Sequence, residues 1–217
     1  SIGSIIAVLL SYLTIDNIVD NIRNIHGIDR NDINLKLFIN NLGLFSKHKI
    51  LEDISNILYK TFFKIPTLLD LYEYSNKEVI IATYSINSDR LVYLNYKLYP
   101  NMSIITAISL SINIPFLFER EIYDKEMYID AGVFNNLSWE YFKEIPSNNK
   151  FGIYMYSENI NSNITNDISF INLFLHVLYS IVHQSGHLYE ETINLTQENI
   201  LILKNDSSIF EFITSPS

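Results

Sequence analysis

The sequence predicts an α/β domain in which helices pack in layers against a sheet. Segments with apolar residues at helical spacing alternate with short β-branched runs, the pattern of a layered α/β fold. A chain of 217 residues with 48% hydrophobic and 13% aromatic content can also bury a substantial core. No repeat, low-complexity linker or composition shift divides it, so residues 1–217 are expected to form one domain.

Ser1 to Leu13 reads as a helix that is apolar almost all round and therefore buried, with Gly3, Ser4 and Ala7 allowing close packing near its start. Thr14 is placed to cap a second helix whose face is Ile15, Ile18, Val19 and Ile22, ended by Gly27. Residues 29–47 read as loop with a short turn. Ser46 then caps a helix from Lys47 to Phe63, with Ile50, Leu51, Ile54, Ile57 and Leu58 on one face. Pro66 interrupts, and Thr67 starts a short helix through Tyr72.

Glu78 to Tyr84 is a β-branched run that reads as a fully buried strand, followed by a turn at Asn87-Ser88-Asp89 and a returning strand at Leu91 to Leu94. Ser103 to Ser111 predicts a helix stopped by Ile114-Pro115. A short strand follows at Tyr128 to Asp130, then a helix at Trp139 to Ile145 and a strand at Lys150 to Tyr156. A long helix from Asp167 to about Glu191 and a strand at Ile200 to Leu203 complete the pattern.

Composition excludes several functions. A formal charge of −9 and a pI near 4.9 argue against nucleic acid, which needs a concentrated basic surface. The absence of cysteine rules out disulfides and thiolate zinc sites and suits a reducing compartment. No apolar run reaches the roughly 18 residues of a membrane span. Ile5 to Leu10 has the rival reading of a signal-peptide core, but lacks a basic flank and a small-residue cleavage site. The first residue is not Met, so Ser1 reads as a processed end or a truncation. A cytoplasmic location is expected, with peripheral contact to a membrane.

Chemistry is suggested by two places. Ser1-Ile2-Gly3 opening an apolar helix matches the second half of G-x-S-x-G, the strand-to-helix turn that exposes a serine hydroxyl. A serine needs a base to take its proton, and Asp130, at a strand end in Tyr128-Ile129-Asp130-Ala131-Gly132, is a candidate for that role. The amide of Ile2, at the positive end of the helix, would contribute to an oxyanion hole. Singly, S-x-G marks no more than a chain start, and D-x-G no more than a turn.

The ordered set is far more specific. Val79-Ile80-Ile81-Ala82-Thr83 is followed by Tyr99-Pro100-Asn101-Met102-Ser103 leading into Ala107, then by Ser111-Ile112-Asn113-Ile114-Pro115-Phe116-Leu117-Phe118. Tyr128-Ile129-Asp130-Ala131-Gly132-Val133-Phe134-Asn135-Asn136 comes last. Together with the Gly43-Leu44-Phe45 step into a helix, this resembles the patatin-like phospholipase family over most of residues 1–156. The resemblance implies a three-layer α/β/α sandwich and lipid acyl hydrolysis by a Ser-Asp dyad, with an acyl-enzyme intermediate and neither metal nor organic cofactor. It makes Ser1 the nucleophile and Asp130 the base. The substrate it implies is a phospholipid, lysophospholipid or glyceride at a membrane or droplet surface.

Two departures from the family bear on activity. Ala131 stands where the family usually has Gly, a strained position if the backbone there has positive φ. The family's first strand, glycine-rich oxyanion loop and nucleophile-bearing strand lie before the serine, so a chain starting at Ser1 is expected to be feebly active or inactive. A catalytically inactive lipid-surface binding module is therefore the alternative, and a structural α/β domain with chance motifs a further one.

Histidines offer weaker readings. His183 and His187 lie four apart on the predicted long helix, but Gln184 follows His183 and Gly186 interrupts, so surface or core positions are expected rather than metal ligation. His176 reads as a core residue. A Ser-His-Asp triad would enlist one of these three after Asp130. Tyr72, Tyr74, Tyr84, Tyr93, Tyr96, Phe116 and Phe118 read mainly as packing, with acyl-groove contact the rival. The N-x-S/T sites at Asn101, Asn136 and Asn194 are expected by chance in so Asn-rich a chain.

Overall fold

The computed structural model describes residues 2–157, 171–178, 180, 181, 184 and 199–205. The chain divides into two compact units, Ser1–Ala131 and Gly132–Ser217, described here in turn.

In the first unit, α1 (Ile2–Tyr12) buries Ser4, Ile5, Val8, Leu9 and Ser11. Its all-round apolarity does not make it all-round buried: Ile2 and Leu10 are exposed, because neighbouring helices cover one side alone. The next helix, α2 (Ile15–Ile22), buries Ile18 and leaves Ile15 71% exposed, so Ile15 does not belong to its packed face. Thr14 occupies the N-cap position without a side-chain bond, and the helix ends at Arg23, well before Gly27.

The expected loop at 29–47 is largely regular. A 3-10 turn (Arg30–Asp32) leads to α3 (Leu35–Asn41), capped by Asn34, whose Oδ1 accepts from the Leu37 N–H at 3.0 Å. Leu42 closes α3 in the left-handed conformation with φ 59°, and β1 (Gly43–Phe45) follows. Because α3 buries none of its residues, its apolar spacing does not announce a packed helix.

The fourth helix, α4 (His48–Phe62), buries Ile54, Ile57 and Leu58 as the spacing predicts, with Ile50 and Leu51 packed against the same core. Lys47 holds its N-cap position, and Ser46 Oγ accepts from the His48 N–H at 3.3 Å. After Pro66, Thr67 and Asp70 form a reciprocal capping box on α5 (Leu68–Ser75).

Next come β2 (Ile81–Ser85) and β3 (Arg90–Leu94), then α6 (Ile104–Ser111), capped by Ser103 Oγ accepting from the Thr106 N–H at 3.0 Å. Three strands unseen or half-seen in the sequence complete the unit: β4 (Phe116–Phe118), β5 (Glu121–Tyr123) and β6 (Glu126–Asp130). The main sheet is antiparallel in the order β3-β2-β6-β5, while β1 and β4 form a separate parallel pair. In β2 the burial alternates: Ile81, Thr83 and Ser85 are buried, Ala82 and Tyr84 are not. That corrects the fully buried strand expected there, since an antiparallel sheet covered on one face selects every second residue.

Helix α6 packs against β2, β6, α1 and α4, and buries six of its eight residues. Its C-terminus is stitched to the sheet by polar side chains. Ser111 Oγ donates to the Ala82 carbonyl at 2.8 Å, and Thr83 Oγ1 lies 3.1 Å from the Leu110 carbonyl and 2.8 Å from that of Ile129. Beside this seam lies Lys47, 1% exposed. Its Nζ donates to Glu121 at 2.7 Å, to Asn113 Oδ1 at 3.2 Å and to the Ser109 carbonyl at 3.5 Å. Burial lowers the Lys47 pKa, and Glu121 and then Glu119 oppose that shift.

In the second unit, 3-10 turns at Trp139–Phe142 and Ser147–Asn149 precede β7 (Gly152–Ser157), which pairs in parallel with β8 (Ile200–Asn205). The helix expected at Trp139 to Ile145 is thus a single 3-10 turn, cut short ahead of Pro146. A helix covers 171–178, inside the predicted 167–191; most of the rest of that segment, with His183 and His187, lies outside the described residues.

These contacts make three stability predictions. Glu121→Gln leaves a buried ammonium uncompensated, whereas Lys47→Met leaves a carboxylate that already reaches water. Urea unfolding is expected to show a loss of about 2–3 kcal/mol for the first and about 1–2 kcal/mol for the second. The Glu121→Gln deficit should narrow as pH rises toward 10.5, because the unfolded chain then holds the Lys47 proton more than the folded one does.

Gly43→Ala would drive a Cβ into the backbone of Phe118 and Glu119, and is expected to cost about 2 kcal/mol or more in the same assay.

Tyr12 and Tyr128 are each raised from 10.0 to about 12, chiefly by burial. Their raised folded pKa values contribute stability that is complete below pH 10 and lost between 10 and about 12. The Tyr12 hydroxyl is buried without a hydrogen-bond partner. Tyr12→Phe should therefore keep or raise neutral-pH stability, by up to about 1 kcal/mol, and soften the alkaline loss.

Candidate functional site

Asp130 is the last residue of β6, 7% exposed, and lies opposite Thr83 of β2 in the antiparallel register. On the other side of β6, pairing with β5 reaches Tyr128 and goes no further toward Asp130. Asn113 replaces a strand there. Its carbonyl accepts from the Asp130 N–H at 2.9 Å, and its Nδ2 donates to the Tyr128 carbonyl at 2.7 Å. Its Oδ1 receives the Lys47 ammonium. The backbone that delivers Asp130 is therefore held on both edges, by β2 and by a buried Lys-Asn pair.

Ala131 is 2% exposed and begins a 3-10 turn (Ala131–Val133). It is not among the residues with positive φ. The strain anticipated from Ala in place of Gly is therefore absent, because helical backbone suits alanine. Asn136, the asparagine of the same segment, donates through Nδ2 to the Met155 carbonyl at 3.1 Å within the second unit.

Ser1 lies outside the described residues. Ile2 is the first residue of α1 and is 59% exposed, and the first turn of that helix carries no acidic residue. Helix α6 lies against both α1 and β6, so one element supports the two segments that carry Ile2 and Asp130.

Several other residues have partners among the described residues. His176, expected in the core, is half-buried, and its carbonyl accepts from Ser180 Oγ at 2.9 Å. His26 and His48 pair with Asp53 and Glu52 at the surface. Among the described residues no cluster of three histidines, aspartates or glutamates is arranged to hold a metal. Tyr72 stacks on Tyr96 with centroids 3.8 Å apart, Tyr74 meets Phe62 edge-on, Tyr84 bonds Asp89, and Phe118 is core. Lys47 and Asn113 escaped the sequence reading as contributors to the site. Asn113 sits in the quoted segment before Pro115, but Lys47 carries no sequence signal, because a lysine after a serine at a helix start reads as a solvated residue.

Comparison with known proteins identifies the family. Residues 1–143 match the family model of patatin-like phospholipases. A probable lipid hydrolase of Invertebrate iridescent virus 6 is 30% identical over 95 residues, covering 43% of this chain and 33% of that protein. The chain thus matches about a third of the length of that curated relative. No described helix is long and apolar enough to cross a membrane. With the match running through α1, α6 and the Asp130 turn, the chain belongs to the patatin-like phospholipase family.

Proposed function

We propose that this protein hydrolyses a carboxylic ester of a lipid, with Ser1 as nucleophile and Asp130 as base. The observation that carries the reading is the placement of Asp130: a buried carboxylate residue at a strand end, its backbone fixed by Asn113 and β2, inside the family match. A base must be held within hydrogen-bond reach of the proton it takes, and a locked strand end supplies such a fixed point. The family match runs across residue 131, which supports reading both compact units as parts of one domain.

In this mechanism the Asp130 carboxylate takes the Ser1 hydroxyl proton as the seryl oxygen bonds to the ester carbonyl carbon. The Ile2 amide donates to the resulting oxyanion; it opens a helix, where the first four N–H groups have no acceptor within the helix and the dipole favours negative charge. Collapse breaks the bond to the alcohol, which leaves with the proton from Asp130. Water then gives a proton to Asp130 as its oxygen bonds to the acyl carbon, and collapse of that second adduct breaks the bond to Ser1 Oγ, which takes the proton from Asp130 as the carboxylic acid leaves. No metal or organic cofactor enters these steps. The substrate is a phospholipid, lysophospholipid or glyceride presented at a membrane or droplet surface, and a cytoplasmic enzyme with peripheral membrane contact fits that task.

Fluorophosphonate labelling of the native, full-length protein tests the proposal. Mass mapping is expected to find the label on the peptide containing Ser1, and Asp130→Asn should slow labelling and ester hydrolysis by about 10²–10⁴-fold while circular dichroism is unchanged. Absence of label on well-folded protein would sink the hydrolase reading and leave a lipid-surface binding module, which vesicle flotation would then detect.

A further inference from the structure

The second unit contains an open cleft of about 280 Å³ whose wall is formed chiefly by Trp139, Phe142, Ile145 and Phe151. Phe151 is 69% exposed and Ile145 40% exposed, so this is apolar surface that the described fold leaves uncovered. Gly152 lies at the start of β7 beneath the indole. A Cβ there would meet the Trp139 ring at 3.1 Å and Ile200 at 3.3 Å, so glycine is what allows the indole to lie over the strand. Lys150 is the one charged residue among those lining the cleft. Its Nζ lies 4.7 Å from the centre of the Trp139 ring, and among the described residues no carboxylate pairs with it. A cation–π contact orients an ammonium without neutralising it.

We propose that this cleft binds a single-chain anionic amphiphile, a long-chain carboxylate, with its hydrocarbon against Trp139, Phe142 and Phe151 and its headgroup on Lys150. The size selects the chain. At about 280 Å³ the cleft falls at the small end of ligand sites, suited to one hydrocarbon chain rather than a two-chain lipid. The charge selects the head. A protein of net charge −9 does not attract free anions at large, so affinity must come from the hydrocarbon, and Lys150 sets the preference for a carboxylate over a neutral head. The inference does not rest on the Ser1–Asp130 reading.

Trp139 is the only tryptophan in the sequence, so intrinsic emission reports this cleft directly. Alkanoates of about 6 to about 14 carbons, and the matching alcohols, would be titrated into the native protein below their micelle-forming concentrations. Each added methylene should tighten binding about fourfold until the cleft is full, after which affinity should level off. At low salt the carboxylate should bind about two- to fivefold more tightly than the alcohol of equal length, the range for a partly exposed ion pair. Lys150→Glu should abolish or reverse that preference while still binding the alcohol, which reports an intact cleft. Asp130→Asn should bind as the native protein does, which separates this site from the fate of the hydrolase reading. Emission unmoved by every chain would overturn the proposal. So would equal binding of acid and alcohol by the native protein, or a preference unchanged in Lys150→Glu.

Discussion

The buried ammonium of Lys47 ties together parts of the first unit that are far apart in sequence. From the start of α4 it reaches the end of α6 through the Ser109 carbonyl, the following turn through Asn113, and the edge strand β5 through Glu121. A lysine 1% exposed is costly to keep charged unless its donors are used, and here all three N–H groups have acceptors within 3.5 Å. The edge strand β5 is three residues long and pairs on one side, so it has little of its own to hold it. Glu121, drawn to Lys47, anchors it.

The same pair sets the place of Asp130. Asn113 transmits the Lys47 anchor to β6 by bonding Tyr128 and Asp130 at alternate positions, as a neighbouring strand would. The backbone carbonyl and side-chain amide of Asn113, not a further strand, thus finish the sheet at the point where the proposed base emerges. A strand would cover this edge continuously, whereas an asparagine supplies two bonds and then leaves the edge. The patatin-like segment from Ser111 to Phe118 therefore has a physical reason to contain a residue with donor and acceptor capacity at position 113.

Much of this was legible in the sequence, and each exception has a physical reason. Helices α1, α4, α5 and α6 were evident because their apolar residues recur at helical spacing or begin at a side-chain cap such as Thr67 or Ser103. The β2–β3 hairpin was visible as a β-branched run, a turn and a returning strand, and the Asp130 strand end as a short apolar run. By contrast, α3 buries nothing, and β1, β4 and β5 are three residues each, too short for periodicity to register. The burial of Lys47 is a tertiary fact: its acceptors lie 62 to 74 residues away in sequence. Gly43 shows the reverse case, a residue singled out by resemblance that acquires its physical reason in the crossing backbone of Phe118 and Glu119.

In the proposed mechanism Asp130, its backbone anchored by this buried network, acts directly on Ser1. A crystal structure of the native protein carrying a bound fluorophosphonate would test it most directly. The expected result is phosphorus bonded to Ser1 Oγ, an Asp130 oxygen within about 3.2 Å of that Oγ, and the Ile2 N–H donating to the phosphoryl oxygen. A histidine lying between Asp130 and the seryl oxygen, or an Asp130 side chain beyond reach of it, would rule this mechanism out.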